Sequence, residues 1–217
     1  VVLAEREVHQ MRKIPTPEMD HAEWRDHYSG GQSKAFMADL WPTISRWLVE
    51  QRNPRVSQRR KWRILDVGCG TGHGTALLGS ILRHGIDESE VTGLDIEKGY
   101  IDEAAELFPW CNWIHYPDGL DGIVTQWDLV ISSHVLEHVR HPMSFVEKCQ
   151  SISTGGVIIY APYEEDPDNL VAGHLHSFGP ADIYNFGASM ENNCQIIQPL
   201  KWGTPAFILE LPGKAGQ

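Results

Sequence analysis

The chain of 217 residues has no long apolar run. Its longest, at 157–161, is strand-sized, far short of the roughly 18–20 residues that a membrane helix needs. No basic flank followed by an apolar stretch opens the sequence, so no signal peptide is expected. Cysteine is scarce: the four present, Cys69, Cys111, Cys149 and Cys194, form no CxxC pair and match no zinc-module spacing. That pattern argues for free thiols and a reducing, cytoplasmic setting. Positive charge is also in short supply: 18 Lys and Arg stand against 29 Asp and Glu, a formal net charge of −11. A protein that grips nucleic acid through phosphates usually shows the opposite balance, so neither nucleic acid nor membrane is expected as a partner. The exception is 51–63, where Arg52, Arg55, Arg59, Arg60, Lys61 and Arg63 meet no acid. This reads as a solvated basic linker, with a phosphate-bearing partner as the alternative.

What is present suits a folded domain. Apolar residues make up 41% and charged residues 22%, enough for a sizeable core. Two textures divide the chain. Residues 1–55 read as helical and aromatic, with a first helix at 16–28, closed by Ser29, Gly30 and Gly31, and a second at 33–50. Phe36, Leu40, Ile44, Trp47 and Leu48 recur along the second at helical steps. Residues 56–217 alternate strand-like and helix-like segments, the mark of a parallel sheet with crossover helices. Strands are expected at 62–67, 91–95, 112–116, 127–132 and 156–161. Helices are expected at 74–83, 97–107, 142–151 and 180–190. A terminal hairpin, 195–201 and 205–211, closes the chain.

The strongest local signal is Ile64-Leu65-Asp66-Val67-Gly68-Cys69-Gly70-Thr71-Gly72, a strand running into a glycine loop and then a helix. Gly68, Gly70 and Gly72 allow tight turning and close backbone approach to a ligand. The spacing is G-x-G-x-G rather than G-x-G-x-x-G, and no P-loop lysine follows. Asp95 ends the second strand and is followed by apolar Ile96. Asp118, with Gly119 beside it, follows the third. Acids at three successive strand ends lie on the rim where α/β sheets bind ligands.

With these residues in place, the sequence resembles the class I S-adenosylmethionine-dependent methyltransferases, in their small-molecule, ubiquinone-biosynthesis-like branch. The likeness covers about 62–213. It rests on ILDVGCGTG, on VTGLDI, on the fourth-strand stretch Trp127 to Val139 (WDLVISSHVLEHV), and on Gly173-His174-Leu175-His176-Ser177-Phe178. The resemblance implies an α/β, Rossmann-like, doubly wound seven-stranded sheet, mostly parallel with an antiparallel last strand. Residues 1–55 would form an N-terminal helical lid and 56–217 the donor-binding domain.

The resemblance also implies roles. Gly68, Cys69, Gly70 and Gly72 line the methionine portion of the donor, and Asp66 orders its amino-acid end. Asp95 holds the ribose, Ile96 packs on adenine, and Asp118 and Gly119 meet the adenine edge. Ser133 places backbone near the sulfonium. His134, directly after the fourth strand, is the candidate general base, with a pocket-shaping role as the alternative. Tyr28, His138, His174 and His176 are candidates for the acceptor side. Trp24, Trp41 and Trp47 read as packing residues.

The expected acceptor is a small or sugar-like molecule, methylated on oxygen rather than nitrogen, because Asn/Asp-Pro-Pro-Tyr is absent after the fourth strand. S-adenosyl-L-methionine is the expected cofactor and S-adenosyl-L-homocysteine its product. No metal is expected, and Glu164, Glu165, Asp166 and Asp168 read as a solvated acidic loop. The oligomer is a monomer or a homodimer. The rival readings are a non-catalytic donor-binding scaffold and a nicotinamide-dependent dehydrogenase.

Overall fold

The computed structural model describes residues 30–51, 61–85, 89–189, 193–200 and 204–215. The first expected helix, Tyr28, Trp24, most of the basic stretch and the hairpin turn lie outside them. The elements are α1 (Gly30–Glu50), β1 (Arg63–Val67), α2 (His73–Gly85), β2 (Glu90–Asp95), α3 (Lys98–Leu107), β3 (Asn112–His115) and β4 (Trp127–Ser133). A 3-10 turn (Leu136–His138), α4 (Pro142–Ser151), β5 (Ser153–Pro162), α5 (Pro180–Asn185), β6 (Cys194–Ile197) and β7 (Ala206–Pro212) complete the chain.

One seven-stranded sheet carries the order β3-β2-β1-β4-β5-β7-β6. The pairs from β3 to β5 are parallel, and β7 runs antiparallel to both β5 and β6. The architecture expected from the sequence is therefore present. β1 leaves the centre of the sheet in one direction through β2 and β3, and the chain then returns to β4 on its other side. The resulting switch point opens a crevice at the carboxyl ends of β1 and β4, where ligands of such sheets bind.

Both faces of the sheet are covered, so its central strands are nearly continuous apolar runs. Within β1, β4, β5 and β7 successive side chains still divide between two cores, because a strand alternates its faces. One core takes Leu65, Val130, Val157, Ile159, Phe207 and Leu209, packed under α4 and α5. The other takes Ile64, Leu129, Ile131, Ile158, Tyr160 and Ile208.

That second core also receives Phe36, Met37, Leu40, Ile44, Trp47 and Leu48 of α1 and Leu78 and Leu82 of α2. Residues 30–50 are thus a layer of the same core as the sheet. Gly30 and Gly31 open α1 rather than close the preceding helix. Trp47 packs edge-on against Trp62, with ring centroids 5.3 Å apart, as a packing role requires.

Two further expectations are corrected. α5 stops at Asn185 rather than 190, because Gly187 takes φ +83 and turns the chain out of the helix. β5 begins at Ser153 and is ten residues long, as it pairs with β4 from Trp127↔Ser153 onward. Among the described residues, no helix is long and apolar enough to cross a membrane.

Candidate functional site

The glycine loop lies at the carboxyl end of β1. Gly68 and Cys69 both donate their backbone N–H to the carbonyl of Leu94, at 2.8 and 3.1 Å. All three loop glycines have positive φ, at +75, +54 and +78 for Gly68, Gly70 and Gly72. Their surroundings differ. A Cβ on Gly68 would sit 2.2 Å from Val135 Cγ2, and one on Gly72 2.4 Å from the Trp113 ring, whereas one on Gly70 would meet nothing within 4 Å. Gly68 and Gly72 are therefore required by packing, and Gly70 fronts open space.

Asp95 clamps this loop. Its Oδ2 accepts from Gly70 N at 2.8 Å and its Oδ1 from Glu97 N at 2.9 Å. Burial raises its pKa above the usual carboxylate range, and the backbone donors of Glu97, Gly70 and Ile96 oppose the rise. Asp66 is buried one strand away and accepts from the Thr75 hydroxyl at 2.5 Å. Burial pushes its carboxyl from 3.8 up to about 6, with Thr75 holding it down and the Asp95 charge adding to the rise. Cys69 is buried, and desolvation, with Asp66 and Asp95 beside it, raises its thiol pKa well above the usual value. It is a neutral packing thiol.

A cavity of about 40 Å³ is lined by Ser33, Phe36, Met37, Asp66, Gly68, Cys69, Gly74 and Ser133. That is room for about one water molecule. Ser133 Oγ is buried with no hydrogen-bond partner. An orphaned hydroxyl of this kind calls for a ligand group. Farther along the rim Ile96 is 61% exposed, a bare apolar side chain beside Asp95. Asp118 is exposed too, next to Gly119 at φ +67. The candidate donor residues thus gather on one rim, running from Ser133 through the glycine loop to Asp118. A larger cavity of about 500 Å³, lined by Lys61, Arg83, Glu90, Trp110 and Asn112 among others, contains none of them and lies at the opposite strand ends.

His134 directly follows β4 at φ +53, a left-handed conformation that a non-glycine residue adopts at a cost of about 1–2 kcal/mol. Its N–H donates to Tyr160 O at 2.8 Å. The ring is stacked under Phe36 at 3.7 Å and meets Tyr160 edge-on at 4.8 Å. Its Nδ1 lies 3.1 Å from Glu137 Oε1. Burial raises the Glu137 pKa, but the His134 hydrogen bond and the charges of His134, His138 and His174 outweigh it and lower the pKa overall. Glu137 is therefore the acceptor and His134 donates through Nδ1. Glu137 was not singled out from sequence, although it stands three residues after His134, the step that puts both side chains on one side of a helical turn.

The remaining histidines tie two loops together. His138 donates through Nδ1 to Gly173 O at 3.0 Å, His176 through Nε2 to Val139 O at 2.9 Å, and Leu175 N–H to Glu137 O at 2.7 Å. Residues 173–176 are thereby laid against the turn that follows β4. His174, only 3% exposed, lies 2.6 Å through Nδ1 from Glu165 Oε2. Glu165 is itself 7% exposed, so it belongs to a buried pair and not to a solvated acidic loop. His176, by contrast, is a structural tether.

Comparison with known proteins agrees with this geometry. Residues 65–158 match the family described as "Methyltransferase domain". The ubiquinone biosynthesis O-methyltransferase of Acinetobacter baylyi is 25% identical over 158 residues, 69% of this chain and 61% of that protein. Its counterpart from Psychrobacter cryohalolentis is 28% identical over 120 residues, 50% of this chain and 44% of that one. The chain thus spans less than two thirds of the length of these relatives. Among solved structures, magnesium protoporphyrin IX methyltransferase from Synechocystis PCC 6803 with bound SAM superposes with a TM-score of 0.60 at 17% identity, over 89% of this chain and 91% of that one. By strand order, glycine loop and domain match, the chain is similar to the class I S-adenosylmethionine-dependent methyltransferases. Its relatives lie in the small-molecule branch.

Proposed function

We propose that this protein transfers a methyl group from S-adenosylmethionine to an oxygen atom of a small-molecule acceptor. The observation that carries the reading is the Asp95-clamped glycine loop facing the orphaned hydroxyl of Ser133 across the β1–β4 crevice. The residues fit the donor: a glycine fronting open space, an acid at the end of β2, a bare apolar side chain beside it, and an unsatisfied buried hydroxyl.

When bound, the donor supplies a methyl group already activated on sulfonium. Gly68, Gly70 and Gly72 would hold its methionine portion, with Asp66 at the amino-acid end. Asp95 would accept from the ribose, and Ile96, Asp118 and Gly119 would receive the adenine. Residues 1–29 and the first turns of α1 would cover the acceptor side, with Tyr28 among them.

Because the methyl group is activated, aligning the acceptor and excluding water supply much of the acceleration. A hydroxyl acceptor gains further from a base near neutral pH. His134 has the form of one. Its Nδ1–H is held by Glu137, which orients the ring and would stabilise the imidazolium formed when Nε2 takes the acceptor proton. Phe36 covers one face of the ring, so the acceptor must approach the imidazole edge. O-methylation is also favoured by Ser132-Ser133-His134-Val135 standing where amino-methylating enzymes carry Asn/Asp-Pro-Pro-Tyr, and by the two O-methyltransferase relatives.

Calorimetric titration with S-adenosylhomocysteine, followed by transfer of labelled methyl to a panel of phenols, carboxylic acids and amines, tests the reading. Saturable binding with labelling of a hydroxyl acceptor is expected. Preference for NADH would overturn it, and tight binding with no transfer to any acceptor would mark a donor-binding scaffold instead.

A further inference from the structure

The chemistry proposed above uses only part of the buried charge behind β4. Glu137 is 0% exposed and His174 3% exposed. One donor atom from each of Glu137, His138 and His174 lies within 4.8 Å of the others. Two atoms in this cluster, Glu137 Oε2 and His174 Nε2, are buried and have no hydrogen-bond partner. A buried carboxylate oxygen and a buried ring nitrogen, each left bare beside the other, are costly unless something binds them.

We propose that Glu137, His138 and His174 form a binding site for a divalent transition-metal ion, with two imidazoles and one carboxylate as ligands.

The surrounding bonds set each donor. His174 gives its Nδ1–H to Glu165 at 2.6 Å and His138 gives its Nδ1–H to Gly173 O at 3.0 Å, which fixes both rings in the tautomer with the lone pair on Nε2. A carboxylate or a carbonyl behind the ligating imidazole is the usual outer partner at a metal centre. Glu137 is held in the same way, since its Oε1 accepts from His134 Nδ1 and its Oε2 is left for the ion. The two histidines come from separate segments of the chain that are joined by the His138–Gly173 bond itself. The charge balances as well: a divalent ion would sit between Glu137 and Glu165, two buried acids with no Lys or Arg recorded against them among the described residues.

Ligand softness selects the ion. Magnesium and calcium take oxygen, whereas two imidazoles and a carboxylate suit zinc, iron(II), cobalt(II) or manganese(II). Donors around a tetrahedral ion lie roughly 3.3–3.6 Å apart for bonds of about 2.0–2.2 Å, so the cluster would contract by about 1 Å on loading. Three protein ligands leave a coordination position open. On the functional reading above, that position suits a deprotonated acceptor oxygen. Metal binding itself does not depend on that reading.

The test uses the whole chain, stripped with a chelator and titrated with Zn(II), Co(II), Mn(II) and Mg(II). One Co(II) per chain should bind saturably with a visible d–d spectrum, Zn(II) should displace it, and Mg(II) should not compete. His174→Ala should abolish saturable binding, Glu165→Gln should weaken it about 10–100-fold by loosening the ring behind the ion, and the exposed control His84→Ala should leave it unchanged. Absence of stoichiometric binding by the parent chain would overturn the proposal, as would a Co(II) spectrum that survives both His174→Ala and His138→Gln. If His174→Ala is unfolded by circular dichroism, Glu165→Gln decides, and unchanged affinity there overturns the site. Parallel titration with S-adenosylhomocysteine separates the two readings: metal binding without donor binding refutes the methyltransferase proposal alone, and the reverse refutes the metal site alone.

Discussion

The carboxyl ends of β1 and β2 and those of β4 and β5 form adjacent halves of one rim, yet they are built on opposite principles. The first half is a backbone site. Its glycine loop is pinned by Leu94 O and by Oδ2 of Asp95, whose Oδ1 is held by Glu97 N, and each acid there has its partner. The second half is a side-chain site. His134, Glu137, His138, Glu165 and His174 are packed together, and Glu137 Oε2 and His174 Nε2 are left unsatisfied. A site made of main chain is rigid before any ligand arrives, whereas buried side chains with bare donor atoms await one. On the function proposed above, the first half would suit a constant ligand, the donor, and the second would suit whatever distinguishes the acceptor.

The contrast can be broken experimentally. The largest effect should come from the side-chain half. His134→Asn keeps a residue that tolerates the left-handed backbone but removes the base, and kcat should fall by about 10²–10⁴ with the donor Kd unchanged. Equal rates in the variant, or a flat profile across pH 6–9 in the parent, would remove His134 as base. In the backbone half, Gly68→Ala combines positive φ with a clash against Val135 and should cost about 3 kcal/mol of stability by chemical denaturation. Gly70→Ala, with open space in front of it, should cost only about 1 kcal/mol while weakening donor binding. Equal destabilisation by the two would show that the loop is not shaped as described.

Asp66 supplies a pH test. Its folded pKa, about 6, lies above the usual 3.8, so the folded chain holds the proton more tightly than the unfolded one. Ionisation therefore costs the fold about 3 kcal/mol above pH 6, and the cost fades as pH falls toward 4. Asp66→Asn should be more stable than the parent at pH 7–8, with the two melting curves converging near pH 4; a gap that widens in acid would reverse the assignment. Asp95→Ala should weaken donor affinity by about 1–3 kcal/mol, measured by calorimetry. Unchanged affinity would refute its ribose role.

The two halves were also unequally legible. Gly68, Gly70 and Gly72 announce a backbone device in the sequence because only glycine accepts their conformations cheaply, and Asp95 is found by walking to the next strand end. The histidines were visible as residues but not as a cluster. Glu137 reads as one more helical acid, and Glu165 sits in a run of acids that looks solvated. Only the docking of 173–176 on the turn after β4 makes them neighbours. Residues 30–50 show the same limit. Their apolar stripe identifies a helix, but a stripe does not say that its partner is the sheet and not a lid over it.

Strand alternation, helix periodicity and glycine backbone preference act over a few residues, so the order of elements and the donor-side loop follow from the sequence alone. Which buried acids meet which imidazoles, and that Phe36 caps His134, depends on side chains many residues apart meeting in a low-dielectric interior. Only the folded structure decides that, because the energy of a buried charge is set by everything that surrounds it.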